Sequence, residues 1–201
     1  MLITTQPQPG RDFAPGWVGF SCALDSALAS AIALRTAGRE WLHGRLVATH
    51  VGTVITDDAG NLVVAEALGG GYQLTPIEAW IDADGRSYAR WFQRPCGLTL
   101  KAAEFMAINA RLWAAEHDGK GRGYDFEAIL LGFPTASDQH LAQGRRLWAE
   151  DPERVFCSEA AAALLKASVE LLDPAPPVHF MAADPSSWSP QALRLCPGLW
   201  G

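Results

Sequence analysis

The chain has 201 residues, 49% of them apolar, with a net charge of −6 and a pI near 5.3. That length supports one domain with a sizeable core, or at most two small ones, and the apolar fraction excludes a disordered chain. The acidic balance, with no basic cluster longer than Arg145-Arg146, argues against a nucleic-acid or anionic-membrane surface.

In chain order, the N-terminal "MLITTQPQPGRDFAPGW" lacks a basic stretch followed by an apolar one, so no secretory signal is expected. No apolar run reaches membrane-spanning length, and the longest, around 160–165, is interrupted by Lys166 and Glu170. The expectation is a cytoplasmic protein without stable membrane insertion. Residues 20–36 read as a helix, with Leu24, Leu28, Ile32 and Ala33 on one face. Residues 46–56 read as a strand rich in Val and Thr, followed by "DDAGN" and a second strand, "LVVAEAL". The loop suits a type I turn at Asp58-Ala59 with Gly60 as the left-handed residue. Residues 71–75 and 87–93 are further strands around the turn "DADGR".

Residues 99–117 form a helix with Thr99 as N-cap and a buried stripe of Leu100, Ala103, Met106, Ala110 and Trp113. "DGKGRG" follows. It lacks the spacing of a phosphate loop and reads as a flexible connection. An apolar segment begins at Tyr124-Asp125, and a helix runs from about Ser137 to Ala149. A last helix spans Ser158 to Leu172, with Ala161, Leu164, Leu165, Val169 and Leu172 on one face, and stops at Asp173-Pro174. The Pro- and Ser-rich tail 173–201 is expected to be irregular. Strands in the middle with helices on either side indicate a single α+β domain, 1–201, with a mainly antiparallel sheet.

The hairpin makes a geometric prediction. With a three-residue loop, Asp57 faces Asn61 and paired positions sum to 118. His50 and Glu66 then share a face as diagonal neighbours on adjacent strands. Glu66 can hold one imidazole nitrogen and leave the other free as a base. Cys157 stands at the start of the last helix, where the macrodipole and unpaired N–H groups favour a thiolate and can receive an oxyanion. A thiolate at a helix start facing a strand histidine is the geometry of a papain-type nucleophile. Tyr124 and Ser158 are the candidate substrate contacts, Tyr124 as a hydrogen-bond donor near the reacting carbonyl.

Each of these residues also has a structural reading: a buried small thiol, a satisfied histidine, a carboxylate paired with arginine, a packed tyrosine, a helix-start serine. The eight tryptophans fit either a ligand groove or core packing. Cys22 also precedes a helical run and is the rival nucleophile. Cys96 and Cys196 lie beside prolines with no evident base. The four cysteines have no CxxC pairing, so reduced thiols are the default. His43, His117, His140 and His179 show no metal-ligand spacing, and neither metal nor cofactor is expected.

The series "THVGTVI", "LVVAEALGGG", "YD" and "FCSEAAAALL" resembles the permuted papain-like branch of the NlpC-type cysteine peptidase superfamily, the YiiX-like proteins. The resemblance covers roughly residues 15 to 172 and carries over onto His50 in H-V-G, Glu66 in E-A, Cys157 in C-S-E and the Tyr124-Asp125 element. One departure is visible: Gly16-Trp17 and Gly19-Phe20 stand where those proteins often carry Gly-Asp. The resemblance implies a permuted papain-like fold and a Cys157-His50-Glu66 triad acting through a thioacyl-enzyme. The expected activity is that of a cysteine hydrolase or acyltransferase on a peptide, other amide or acyl ester. The alternatives are a non-catalytic binding or structural module that keeps the fold, or a globular protein whose motif match is coincidental.

Overall fold

"HVGTVIT" and "LVVAEAL" are β-branched runs that fit a pleated, buried surface, and "DDAGN" closes them into a hairpin. The structure, a computed structural model, describes residues 7–22, 29–30, 32–34, 47–82, 90–119, 122–124 and 154–201. Strands β1 (Val18–Ser21), β2 (His50–Thr56), β3 (Leu62–Leu68), β4 (Gly71–Pro76) and β5 (Arg90–Gln93) form one antiparallel sheet in the order β4-β3-β2-β1-β5. The β2–β3 register pairs Thr53 with Ala65 and Thr56 with Leu62, the pairing expected from the loop. Asp57 fixes that loop: its Oδ1 accepts from the N–H groups of Ala59 and Asn61, and Gly60 has φ +84°.

The sheet is covered on both faces, giving an α+β architecture. One face carries Val18, Phe20, Val51, Ile55, Ala65 and Tyr72 against α2 (Leu100–Gly119) and α3 (Cys157–Ala167). The other carries Val54 and Val64 against Phe13, Trp17 and α1 (Ile77–Ile81). A separate two-stranded parallel pair joins β6 (Gly123–Tyr124) to β7 (Arg154–Val155), the last strand before α3.

Several elements differ from the sequence reading. Phe20 and Ser21, expected to begin a helix, belong to β1, because pairing on both sides outweighs the helical pattern that follows. The described part of that pattern, residues 29–30 and 32–34, is helical. In α2, Thr99 caps as expected by accepting from the Ala102 N–H, and its hydroxyl donates to the Leu171 carbonyl. Leu100, placed in the buried stripe, is instead 84% exposed; the buried set is Ala102, Ala103, Met106, Ala107 and Ala110. The helix that follows β7 ends at Ala167. The Ser168 hydroxyl bonds back to the Leu164 and Leu165 carbonyls, and the chain continues as a 3-10 turn over Val169–Leu171.

The tail is more ordered than its composition implies. It holds α4 (Val178–Ala182), a 3-10 turn at Pro185–Ser187 and α5 (Pro190–Arg194). The Asp184 and Ser189 side chains cap the last two, each followed by a proline preset for helix entry. Lys166 Nζ donates to the Met181 and Ala183 carbonyls, tying the end of α4 to α3. Among the described residues, no helix is long and apolar enough to cross a membrane. Leu24, Leu28, the turn and strand start at 83–89, Asp125 and the helix expected over 137–149 lie outside the described residues.

Candidate active site

The site begins with a glycine. Continuing the β2–β3 register places Gly52 directly across from Glu66, and a Cβ at Gly52 would meet Val64 Cγ1 at 2.4 Å and Glu66 Cβ at 3.2 Å. The glycine of H-V-G therefore leaves room for Glu66 to reach diagonally to His50. His50 Nε2 lies 2.6 Å from Glu66 Oε2.

Glu66 is 3% exposed, an expensive position for a carboxylate unless it is well satisfied. Besides His50, it accepts from Thr75 Oγ1 at 2.5 Å on Oε1 and from Trp80 Nε1 at 2.9 Å on Oε2. Burial works to raise its pKa, but the bonds from His50, Thr75 and Trp80 outweigh it and hold the carboxyl below its ordinary value. Trp80 is itself fixed: Arg90 Nε donates to its carbonyl at 3.0 Å, and the guanidinium lies 5.0 Å from the ring centroid.

Thr75 and Trp80 escaped the sequence reading. Thr75 was recoverable, because β3–β4 pairing sets it opposite Val64 and so on the face of Glu66. Trp80 reaches the carboxylate from α1, and no periodicity in the sequence announces that contact.

Cys157 is the first residue of α3. The first bond within the helix runs from the Ala160 N–H to the Phe156 carbonyl, so helix geometry leaves the N–H groups of Cys157 and Ser158 without an acceptor inside it. Glu159 reaches back to the Phe156 N–H at 3.4 Å, which steadies the helix start. The Cys157 side chain lies near enough to His50 to act on it electrostatically. With Nε2 directed at Glu66, Nδ1 is the nitrogen left for the sulfur. Burial disfavours the imidazolium, but the interactions with Cys157 and Glu66 overcome it and push His50 up to about 10. His50 has 19% of its side chain accessible, whereas Cys157 is 2% exposed.

The Ser158 hydroxyl, Cys22 and Cys196 stand apart from this chain of contacts. The Ser158 hydroxyl is fully buried and donates to the Trp188 carbonyl at 2.6 Å. Tyr124 pairs through its backbone with Val155, two residues before the cysteine; its side chain lies outside the description. Cys22 sits in the main core, and burial raises its pKa. Cys196 differs from the sequence reading: it does have a base beside it, His179 Nε2, at 3.4 Å from Sγ. The tail folds back through α4 and α5 and brings the two together. All four cysteines are free, and among the described residues no group of three or more His, Cys, Asp or Glu is arranged to hold a metal ion. Comparison of the chain with protein-family models, curated proteins and solved structures finds no match.

Proposed function

We propose that the protein is a cysteine hydrolase or acyltransferase acting on an amide or ester carbonyl, built on a permuted papain-like fold of the YiiX-like kind. The observation that carries this reading is the continuous chain from Cys157 through His50 to a buried, triply hydrogen-bonded Glu66. The order of elements, histidine strand, carboxylate strand and then cysteine helix, adds to it.

In this mechanism the thiol proton rests on His50 in a thiolate–imidazolium pair, and Cys157 Sγ attacks the carbonyl carbon. The resulting oxyanion is received by the N–H groups of Cys157 and Ser158 at the start of α3. Collapse breaks the bond to the leaving amine or alcohol, which receives the proton from His50, and leaves an acyl thioester on Cys157. Water, or another acyl acceptor, then attacks that thioester while His50 takes its proton, which restores the thiolate–imidazolium pair. Glu66 orients the imidazole and stabilises its charged form, a role independent of any metal. The substrate is a peptide, other amide or acyl ester.

A non-catalytic module with the same fold is the second reading, and the 2% exposure of Cys157 is the observation in its favour. Reactivity separates the two. Iodoacetamide at neutral pH is expected to alkylate Cys157 faster than Cys22, Cys96 or Cys196, and His50→Ala slows that reaction. A p-nitrophenyl ester should give a burst of p-nitrophenol that Cys157→Ala abolishes. Equal alkylation of the four thiols together with no burst leaves the non-catalytic module.

A further inference from the structure

The tail after α3 plays no part in the chemistry above, yet it holds a residue in an unusual position. Gln191, on α5, is buried, and a buried amide needs partners. Its Oε1 accepts from the Ala48 N–H at 2.9 Å, across 143 positions of sequence, and from Arg194 Nε at 2.9 Å. Ala48 is fully buried and stands two residues before His50, ahead of the ladder that β2 makes with β1. A buried backbone N–H there needs an acceptor, and the tail supplies it.

The same stretch grips the other half of the pair. The Trp188 carbonyl accepts from the hydroxyl of Ser158, the residue directly after Cys157. Between the two attachments the spacing is fixed by Ser189, whose Oγ accepts from the Ala192 N–H at 3.1 Å and whose carbonyl accepts from the Leu193 N–H at 2.9 Å. Residues 188–191 thus bond on one side to the helix start that carries the sulfur and on the other to the segment entering the histidine strand.

We infer that residues 188–191 are a clasp that sets the separation of Cys157 from His50, with Gln191 as a positioning residue for the nucleophile. The inference rests on the proposed roles of Cys157 and His50. It follows from the steep dependence of such chemistry on placement, in which a displacement of about 1 Å costs about a hundredfold. Gln191 touches none of the reacting atoms and acts through the backbone that carries His50.

The test is the rate of iodoacetamide alkylation at Cys157 in the full-length chain, read by mass spectrometry. Gln191→Leu, which removes the acceptor, is expected to slow alkylation at least tenfold. Gln191→Glu, which keeps it, stays within threefold of the parent. In a His50→Ala background, Gln191→Leu slows the reaction less than twofold further, because its effect passes through the imidazole. A Gln191→Leu rate equal to the parent overturns the clasp. So does an equal slowing with and without His50, or a Gln191→Glu as slow as the leucine variant. Should Gln191→Leu fail to fold, Ser158→Ala gives the same reading at the other attachment: at least threefold slower with His50 present supports the clasp, and the parental rate overturns it. A parent Cys157 that is indifferent to His50→Ala overturns the nucleophile assignment itself, an outcome distinct from a normal His50 dependence that Gln191 does not alter.

Discussion

Two cysteine–histidine contacts lie among the described residues, and they are built differently. Cys157 stands on the first turn of an eleven-residue helix, and its histidine is backed by a carboxylate that three donors hold in place. Cys196 lies after the last tail helix, with His179 Nε2 at 3.4 Å and, among the described residues, no carboxylate partner for that ring. At the second contact burial is the governing influence and pushes the Cys196 thiol up to about 11. At the first, the charges around His50 overcome burial and raise the imidazole to about 10. Under the proposed function, a neighbouring imidazole alone does not make a nucleophile, whereas a braced imidazolium beside a helix start does.

The sharpest way to break the comparison is to remove each sulfur in turn. Cys157→Ala is expected to lower ester hydrolysis by about a thousandfold or more, the scale seen when a nucleophile is lost. Cys196→Ala is expected to stay within about twofold. Equal losses, measured as kcat/KM on one p-nitrophenyl ester, would remove the distinction.

Glu66→Gln comes next and tests the bracing. It is expected to lower kcat/KM by about a hundredfold, within the range of general acid–base contributions, and stability by about 3 kcal/mol, as for breaking a buried charge pair. The sign of the pH effect follows from the shifts. His50 is raised from 6.5 to about 10, so its contribution to folding is complete below pH 6.5 and is lost as pH rises through about 10. Glu66 is lowered, so its contribution is complete above its ordinary value of 4.5 and is lost as pH falls through the folded value. Urea unfolding of the parent should therefore show falling stability on both sides of pH 4.5–6.5, and Glu66→Gln should flatten both slopes. The alkaline limb of the parent's kcat/KM is expected near pH 10 and moves down toward 6.5 in the variant.

How much of this was legible depends on how local the cause is. The β2–β3 register could be read because a short loop with a left-handed glycine and an Asp that bonds its own turn leaves little choice. The same-face relation of His50 and Glu66 then follows by parity alone. β1 was hidden because "VGFS" becomes a strand only by lying between β2 and β5, two partners far away in sequence. Leu100 misled because apolar periodicity says which residues can share a face, and tertiary packing decides which face is covered. Trp80 and Gln191 were illegible for a related reason. Each is defined by one bond to a distant partner, and no local pattern encodes that bond.

The smallest expected effect sharpens the comparison from below, by asking whether the bracing of His50 depends on backbone space as well as on charge. Gly52 and Gly60 belong to one hairpin but do different work. At Gly60 a Cβ meets nothing within 4 Å, so Gly60→Ala suffers only from the positive φ and is expected to cost about 1 kcal/mol with activity unchanged. At Gly52 the added carbon collides with Val64 and crowds Glu66, so Gly52→Ala is expected to cost about 2 kcal/mol, as overpacking does. It should also lower kcat/KM by about tenfold, because the displaced carboxylate no longer meets His50 squarely. Measured together by thermal unfolding and ester hydrolysis, the pair separates strain from misalignment. If Gly52→Ala loses stability and keeps full activity, close approach at that glycine serves the sheet and not the triad.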